Sequence, residues 1–148
     1  MNQVHFQQER SFGLVFHPSF PIASLPDYAR QAEAMGFDEL WLWDDCFLPG
    51  AFSAAAIALS ATRKIKVCIG LIPVPALNPL FMAMEITSLA GAFPGRVIAG
   101  FGHGVEPWMK QIGAAEHSSL GRLRETVTVV RDLLNGNEVN FDEEFVHM

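Results

Sequence analysis

Apolar residues along the chain fall into short runs that alternate with stretches of helical periodicity. Each run is closed by a turn signal, and its continuous apolarity is typical of a strand buried on both faces. Between the runs, apolar residues recur every three or four positions, which predicts amphipathic helices. The predicted strands are residues 12–16, 38–43, 65–72 and 96–101.

Local signals mark the ends of the predicted helices. Ser24 and Asp27 have the spacing of a capping box, and Gly36 predicts a left-handed stop. Asn78 followed by proline predicts the N-cap of a helix that ends near residue 92. Further helices are expected at residues 52–62 and from Ser119 to 135–136, and a weak hairpin is expected at residues 138–148. The last helix has an apolar stripe that consists of Leu120, Leu123, Val127, Val130 and Leu134.

Four strand–helix units in a row predict an α/β fold with a parallel sheet covered by helices. Two architectures compete: an open doubly wound sheet and part of a (β/α)8 barrel. A dinucleotide-binding doubly wound sheet carries a glycine-rich turn after its first strand, whereas residues 17–21 read His-Pro-Ser-Phe-Pro. The sequence therefore favours about half of a barrel.

Composition narrows the class of protein. The 148 residues are 50% hydrophobic and include 12 Phe, which excludes a disordered chain, and a net charge of −6 argues against a nucleic-acid partner. No apolar stretch reaches the roughly 18–20 residues of a membrane span, and the polar tail at residues 1–11 has no signal-peptide core. Unpaired Cys46 and Cys68 suit a reducing compartment, so a cytoplasmic protein is expected.

Catalytic groups of a barrel lie at the carboxyl ends of its strands. Asp44 and Asp45 follow the second strand, and adjacent side chains in extended backbone point to opposite sides. One carboxylate is expected to enter the barrel mouth as an acid or base while the other caps the next loop; an N-cap or a surface pair is the alternative. His103 lies between Gly102 and Gly104, where a flat ligand can approach the backbone closely, although such loops are also common without a ligand.

Two prolines, Pro73 and Pro75, stand at the end of the third strand and remove ladder donors, so the chain must bend or bulge there. A bulge behind a ligand and an ordinary strand terminator both remain open. The five histidines show no metal-ligand spacing, and no metal site is expected.

Several of these features together resemble the bacterial luciferase-like monooxygenase superfamily. The resemblance is carried by residues 70–114, with the Asn78 helix start, the Pro-Gly-Arg turn at 94–96 and the glycine-rich strand end at 100–104 followed by Trp108. Residues 36–45 and 122–136 resemble the same family, so the likeness covers nearly all of the chain from Phe12 onward.

The resemblance implies a barrel that binds FMN or the deazaflavin coenzyme F-420 at its mouth and acts on a small organic substrate by hydride transfer or oxygen insertion. Residues 93–109 are most similar to the deazaflavin-dependent branch, which favours coenzyme F-420 and hydride transfer. The family often has a non-proline cis peptide in a third-strand bulge behind the ring, which the resemblance puts at residues 72–74. It implies cofactor contacts from His17, Ile72, Pro73, Val74, Gly102 and Gly104, and catalytic roles for Asp44, Asp45 and His103.

Two departures from the family qualify these expectations. Relatives commonly have Asp-His where this chain has Asp44 and Asp45, and a carboxylate is a poor proton donor at pH 7 unless it is desolvated. A complete barrel takes about 250 residues, so residues 12–148 correspond to an amino-terminal half.

An open half exposes strand edges and an apolar face, which predicts a fragment, a homo-oligomer or a partner half-barrel. An FMN monooxygenase and a non-catalytic half-barrel subunit remain alternatives. A barrel enzyme for phosphorylated sugars would need basic residues at the strand ends, and the sequence has none there.

Overall fold

The computed structural model describes residues 10–115 and 117–148, and within them four parallel strands form one sheet. The strands lie side by side in sequence order. A doubly wound sheet reverses its strand order at a switch point, whereas a barrel keeps sequence order. The predicted α/β fold of barrel type is therefore confirmed. The strands are β1 (Gly13–Val15), β2 (Glu39–Leu42), β3 (Lys66–Pro73) and β4 (Val97–Gly102).

Helices follow each strand, as the alternating pattern predicts. A six-residue helix after β4 is an addition to the predicted set, and single 3₁₀ turns cover Ile22–Ser24 and Val74–Ala76. Most of the predicted polar tail, residues 1–9, lies outside the described residues. The α-helices are α1 (Leu25–Ala34), α2 (Ala51–Ala61), α3 (Pro79–Ala92), α4 (Glu106–Gln111) and α5 (Ser119–Leu134).

The two faces of the sheet have different surroundings. Leu40 and Leu42 of β2 are buried in a core shared with α1, α2 and α3, while Trp41 between them points to the other face. On that other face, Val15 is 49% exposed and Ile98 is 40% exposed. We call this second face the inner face, because it corresponds to the interior of a barrel.

Several helix ends form as the sequence predicts. Gly36 has a φ of +84°, the left-handed conformation that ends α1. The side chain of Asn78 accepts a hydrogen bond from the Leu80 N–H at 2.9 Å and caps α3. Helix α5 begins at Ser119, where the Ser118 hydroxyl accepts from the Gly121 N–H at 3.2 Å.

The predicted capping box at Ser24 is wrong. Ser24 already has helical backbone angles, because it ends a 3₁₀ turn, and its hydroxyl donates to the Pro21 carbonyl at 2.7 Å. Asp27 pairs with Arg30 instead of reaching back to Ser24.

The predicted stripe of α5 is only partly correct. Leu120 is 75% exposed, and Leu134 is also exposed, whereas Val130 is buried. The reason is the C-terminal hairpin, which packs on a different face of α5 and buries Val129 against Phe145 and Val146. The hairpin itself is present, with a bridge between Asp142 and His147.

Among the described residues, none of the helices combines the length and the apolar character that crossing a membrane requires. Cys46 and Cys68 are both free thiols. Burial raises the pKa of the Cys68 thiol to about 12, with a smaller contribution from the Glu39 carboxylate, so this thiol stays protonated.

Candidate functional site

A β-bulge interrupts β3 next to the carboxyl edge of the sheet. The pairing of β3 with β4 shifts register between Ile69 and Ile72, and the Gly70–Leu71 peptide within this bulge is cis. The bulge thus comes two residues earlier than residues 72–74, where it was expected. Ile72 and Val74 are fully buried in the helix-facing core instead, because regular alternation resumes after the bulge.

The bulge connects two strand ends. The Leu71 carbonyl accepts a hydrogen bond from the Asp44 N–H at 3.2 Å, which ties the segment after β2 to β3. The Leu71 side chain covers Gly102, where an added Cβ would lie only 2.5 Å from Leu71 Cδ2. Gly102 is buried in this way. The Leu71 side chain therefore lies where a flat ligand was expected to approach the Gly102 backbone.

A cavity of about 300 Å³ opens beside the bulge. Its walls come from the ends of β2 and β3 and from the segment that follows β4, so it lies at the edge where a barrel holds its active site. Most of the side chains are apolar, and two aspartates are among the lining residues. The lining residues are Trp43, Asp44, Asp45, Cys46, Gly70, Leu71, Pro73, Gly104, Val105, Trp108 and Met109.

Asp44 is partly buried and caps α2. Its Oδ1 accepts from the Ala51 N–H at 2.7 Å, at a helix start where Gly50 offers no side chain. Burial raises the pKa of this carboxyl, the Ala51 N–H partly offsets that effect, and the negative charge of Asp45 raises the pKa further. Of the two adjacent aspartates, Asp44 is therefore the one that caps the following element.

Asp45 lines the cavity at the start of a tight turn. Its carbonyl accepts from the Leu48 N–H at 3.2 Å, and Phe47 within the turn has a φ of +73°. Few non-glycine residues adopt this conformation, so the turn is fixed by its surroundings. The segment thereby holds Asp45 and Cys46 at the cavity rather than in solvent.

His103 lies on the far side of Gly104 and lines a neighbouring cavity of about 350 Å³ together with Glu106, Lys110 and His117. Its Nδ1 is 2.8 Å from the Gly104 carbonyl. A carbonyl only accepts, so Nδ1 carries a hydrogen, and in the neutral ring Nε2 is the acceptor. The structure therefore places His103 next to the aspartate cavity without making it one of the lining residues.

His17 also lies outside the aspartate cavity. Its ring packs edge-on against Trp43 at 5.2 Å, and its Nδ1 accepts from the Ser19 N–H at 3.2 Å. Because Trp43 lines the cavity, His17 is next to the site through that indole.

Four of the nine predicted site residues are brought together in the cavity: Asp44, Asp45, Pro73 and Gly104. Gly104 has a φ of +72°, and an added Cβ would lie 3.0 Å from Pro73 Cβ. The remaining seven lining residues were not among the predicted site residues: Trp43, Cys46, Gly70, Leu71, Val105, Trp108 and Met109. Most of them lie close to a strand end, which was the available signal, whereas Trp108 and Met109 lie on α4.

The side chains that line the cavity suit the ring of a cofactor better than a metal ion. Among the described residues, no group of three or more histidine, cysteine, aspartate or glutamate side chains gathers to hold a metal ion. The two partly buried indoles, Leu71 and Val105 offer apolar walls to a flat ring, and the volume is at the lower end of the range of about 300–1,000 Å³ for ligand sites. No cation is among the described lining residues, so they fit a ring and not a phosphate group.

Comparisons with known proteins agree with this picture of the fold. The family model described as luciferase-like monooxygenase matches residues 1–148. Among curated relatives, the 5,10-methylenetetrahydromethanopterin reductase of Methanolobus tindarius is 29% identical over 92% of this chain and 42% of its own length. The F-420-dependent glucose-6-phosphate dehydrogenase of Gordonia bronchialis is 30% identical over 86% of this chain and 42% of its own length.

Solved structures share the fold at lower identity. The coenzyme F-420-dependent tetrahydromethanopterin reductase of Methanopyrus kandleri superposes with a TM-score of 0.84 at 24% identity, over 93% of this chain and 44% of its own. The oxygenating constituent of 3,6-diketocamphane monooxygenase from Pseudomonas putida, in complex with FMN, gives 0.84 at 18% identity, over 93% and 43%. The chain thus spans less than half the length of the proteins it matches.

Proposed function

The chain belongs to the luciferase-like monooxygenase family, and we propose that it supplies the amino-terminal half of the active site of an oxidoreductase that uses coenzyme F-420. The proposed reaction is hydride transfer between the coenzyme and a small organic substrate. The observation that carries the proposal is the apolar cavity with two aspartates at the carboxyl edge of the sheet. Relatives whose names include F-420 favour this coenzyme over FMN.

The residues of the cavity divide the work between binding and proton transfer. When bound, the coenzyme supplies the ring carbon that gives or accepts a hydride. Trp43, Trp108 and Leu71 exclude water from the ring, which strengthens every electrostatic interaction around it. Hydride transfer to a carbonyl or imine substrate leaves an anion, which must gain one proton, and the reverse reaction must lose one.

Asp44 and Asp45 are the proposed proton carriers. Oδ1 of Asp44 is occupied by the Ala51 N–H, so Oδ2 is the oxygen that holds a proton, and burial keeps that proton bound at higher pH than in water. Asp45 takes the position where relatives commonly have histidine. His103, with Nε2 as a base, is proposed to assist from the neighbouring cavity.

A parallel titration tests the proposal. Coenzyme F-420 and FMN are added separately to the purified chain, and binding is followed by tryptophan fluorescence and by the absorption band of each cofactor. We expect saturable binding, with coenzyme F-420 bound more tightly. Unchanged fluorescence and unchanged spectra with both cofactors would overturn the proposal, and tighter binding of FMN would replace the F-420 assignment with that of an FMN monooxygenase.

A pair of variants shows whether the cavity is the binding site. Val105→Trp puts an indole into the cavity, and we expect it to weaken binding at least about tenfold. Met84→Trp is the matched control, since Met84 is 53% exposed on α3, away from the cavity, and this variant also adds one tryptophan. Equal affinities for the two variants would contradict this location.

We also propose that further (β/α) units complete the barrel, supplied by a second copy or by a partner half-barrel. The cavity lacks a cation for a cofactor phosphate among the described residues, and the inner face exposes Val15 and Ile98. Light scattering after size-exclusion chromatography is expected to show at least a dimer. A folded monomer would count against assembly.

A further inference from the structure

The indole of Trp41 lies flat across the inner face of the sheet. A Cβ added at Gly13 of β1 would lie 2.6 Å from its Cδ1 and Nε1, and one added at Gly70 of β3 would lie 2.7 Å from its Cζ3. Neighbouring strands are about 4.8 Å apart, so the ring spans from β1 to β3 over its own strand. Two glycines on the flanking strands leave the space that the ring fills.

One hydrogen bond fixes the orientation of this ring. Nε1–H of Trp41 donates to Oε2 of Glu39 at 2.9 Å, and the other carboxylate oxygen accepts from the Ser11 hydroxyl at 3.3 Å. Glu39 and Trp41 are two residues apart on β2 and share the inner face. This hydrogen bond holds the indole in one orientation, and we call it the Glu39 latch.

The ring edge beside β3 supports the bulge. Gly70, against which the six-membered ring packs, precedes Leu71, and the Leu71 carbonyl holds the Asp44 N–H at 3.2 Å. A continuous set of contacts thus runs from the Glu39 latch through the indole and the bulge to the segment that carries the cavity aspartates.

We propose that Trp41, latched by Glu39, is a positioning residue: it sets the Gly70–Leu71 bulge and, through the Leu71 carbonyl, the place of Asp44 at the cavity. The positioning is a property of the chain itself. Its consequence for cofactor affinity rests on the proposed function.

Amide hydrogen exchange of the full chain, measured by NMR, tests the positioning directly. The Asp44 N–H reports the bond to Leu71, and the Val67 N–H, which donates to the Arg96 carbonyl at 2.8 Å, reports the rest of β3. In Trp41→Leu and in Glu39→Ala we expect Asp44 to exchange about tenfold faster while Val67 is unchanged. Glu39→Gln keeps an oxygen that accepts from Nε1–H and is expected to restore slow exchange.

The controls separate positioning from simple stability. Ser11→Ala removes the second partner of Glu39 and leaves the latch, so wild-type exchange is expected. Loss of a purely structural contact would accelerate the exchange of the Asp44 and Val67 amides alike, and that result would overturn the proposal. An unchanged exchange rate of the Asp44 amide in Glu39→Ala would also overturn it. If Trp41→Leu does not fold, Trp41→Phe keeps a ring over Gly70 but loses the N–H, and it is expected to match Glu39→Ala.

Cofactor titration of the same variants adds the functional consequence. Dissociation constants for coenzyme F-420 and FMN are expected to rise about tenfold in Glu39→Ala and to stay at the wild-type value in Glu39→Gln and Ser11→Ala. Wild-type constants in Glu39→Ala would contradict a role in binding. If the wild-type chain binds neither cofactor, the proposed function fails, while the exchange rates still decide whether Trp41 positions Asp44.

Discussion

Asp44 combines two roles whose electrostatic demands conflict. As the cap of α2 it is best charged, since an anion at a helix N-terminus is stabilised by the helix dipole. Its burial favours the neutral form, and the raised pKa shows that burial prevails over the Ala51 N–H. A carboxyl of this kind keeps its proton over a wider pH range, which is the property that a proton donor at the cavity requires.

This balance predicts the pH dependence of stability. Because the native pKa of Asp44 is raised, its contribution to stability is fully present below the unfolded value of about 3.9 and is lost as the pH rises through the native value. Asp44→Asn keeps an oxygen for the Ala51 N–H and cannot ionise. In urea unfolding, we expect this variant to gain stability relative to wild type between pH 3 and pH 7.

A second substitution isolates the cap. Asp44→Ala removes the acceptor, and we expect it to be about 1 kcal/mol less stable than Asp44→Asn at every pH. If Asp44→Asn instead loses stability relative to wild type toward pH 7, the carboxylate is stabilised by its surroundings and the assignment of a raised pKa is wrong.

At the scale of elements, α5 and the C-terminal hairpin form one unit around a buried carboxylate. Glu125 is 6% exposed, and its Oε2 accepts from the Phe145 N–H at 2.9 Å and from the Val146 N–H at 3.0 Å. These bonds satisfy two backbone donors that packing against Val129 removes from water.

Removal of that acceptor tests the unit. We expect Glu125→Ala to cost about 1–3 kcal/mol in urea unfolding, since it leaves buried N–H groups unpaired. Exchange of the Phe145 and Val146 amides should also accelerate. Glu125→Gln retains an acceptor and is expected to lose less free energy of unfolding than Glu125→Ala. Glu143 is exposed, and the unfolding free energy of Glu143→Ala is expected to stay within about 0.5 kcal/mol of wild type. An equal loss in Glu143→Ala would show that the hairpin is not held through Glu125.

The same unit shows why the sequence predicted some elements and missed others. Strand and helix positions follow from local periodicity, so every end of the four strands was predicted to within one residue. The buried face of α5 depends on a segment that returns to it from residues 138–148, and periodicity within one helix does not contain that contact. Helix α4 is too short, at six residues, to show a period.

The candidate site also has a part that could be predicted from the sequence and a part that could not. Asp44 and Asp45 were predicted because strand ends can be read from the chain and barrels place their chemistry there. The position of the bulge was not predicted, since it depends on how Gly70 packs under an indole from the neighbouring strand. That packing also places the Leu71 side chain over Gly102, and so the role of Leu71 was missed.

At the scale of the whole molecule, the inner face is the unusual surface. Val15, Trp41, Cys68 and Ile98 pair across the four strands at one level and form a row on that face. In a closed barrel such rows are packed by residues from the remaining strands. The described residues provide no such strands, and the row ends at the exposed side chains of β1 and β4.

A lysine on this row tests whether the inner face is an interface. Ile98→Lys puts a charge on the inner face of β4, and we expect it to weaken self-association at least about tenfold because a charge at an apolar contact must be desolvated. Ile112→Lys is the matched control, since Ile112 is 41% exposed against 40% for Ile98 and lies at the end of α4. Light scattering over a concentration series measures the association, and circular dichroism checks that both variants stay folded. Equal dissociation in the two variants, or an Ile98→Lys oligomer as stable as wild type, would mean that the molecule associates through another surface.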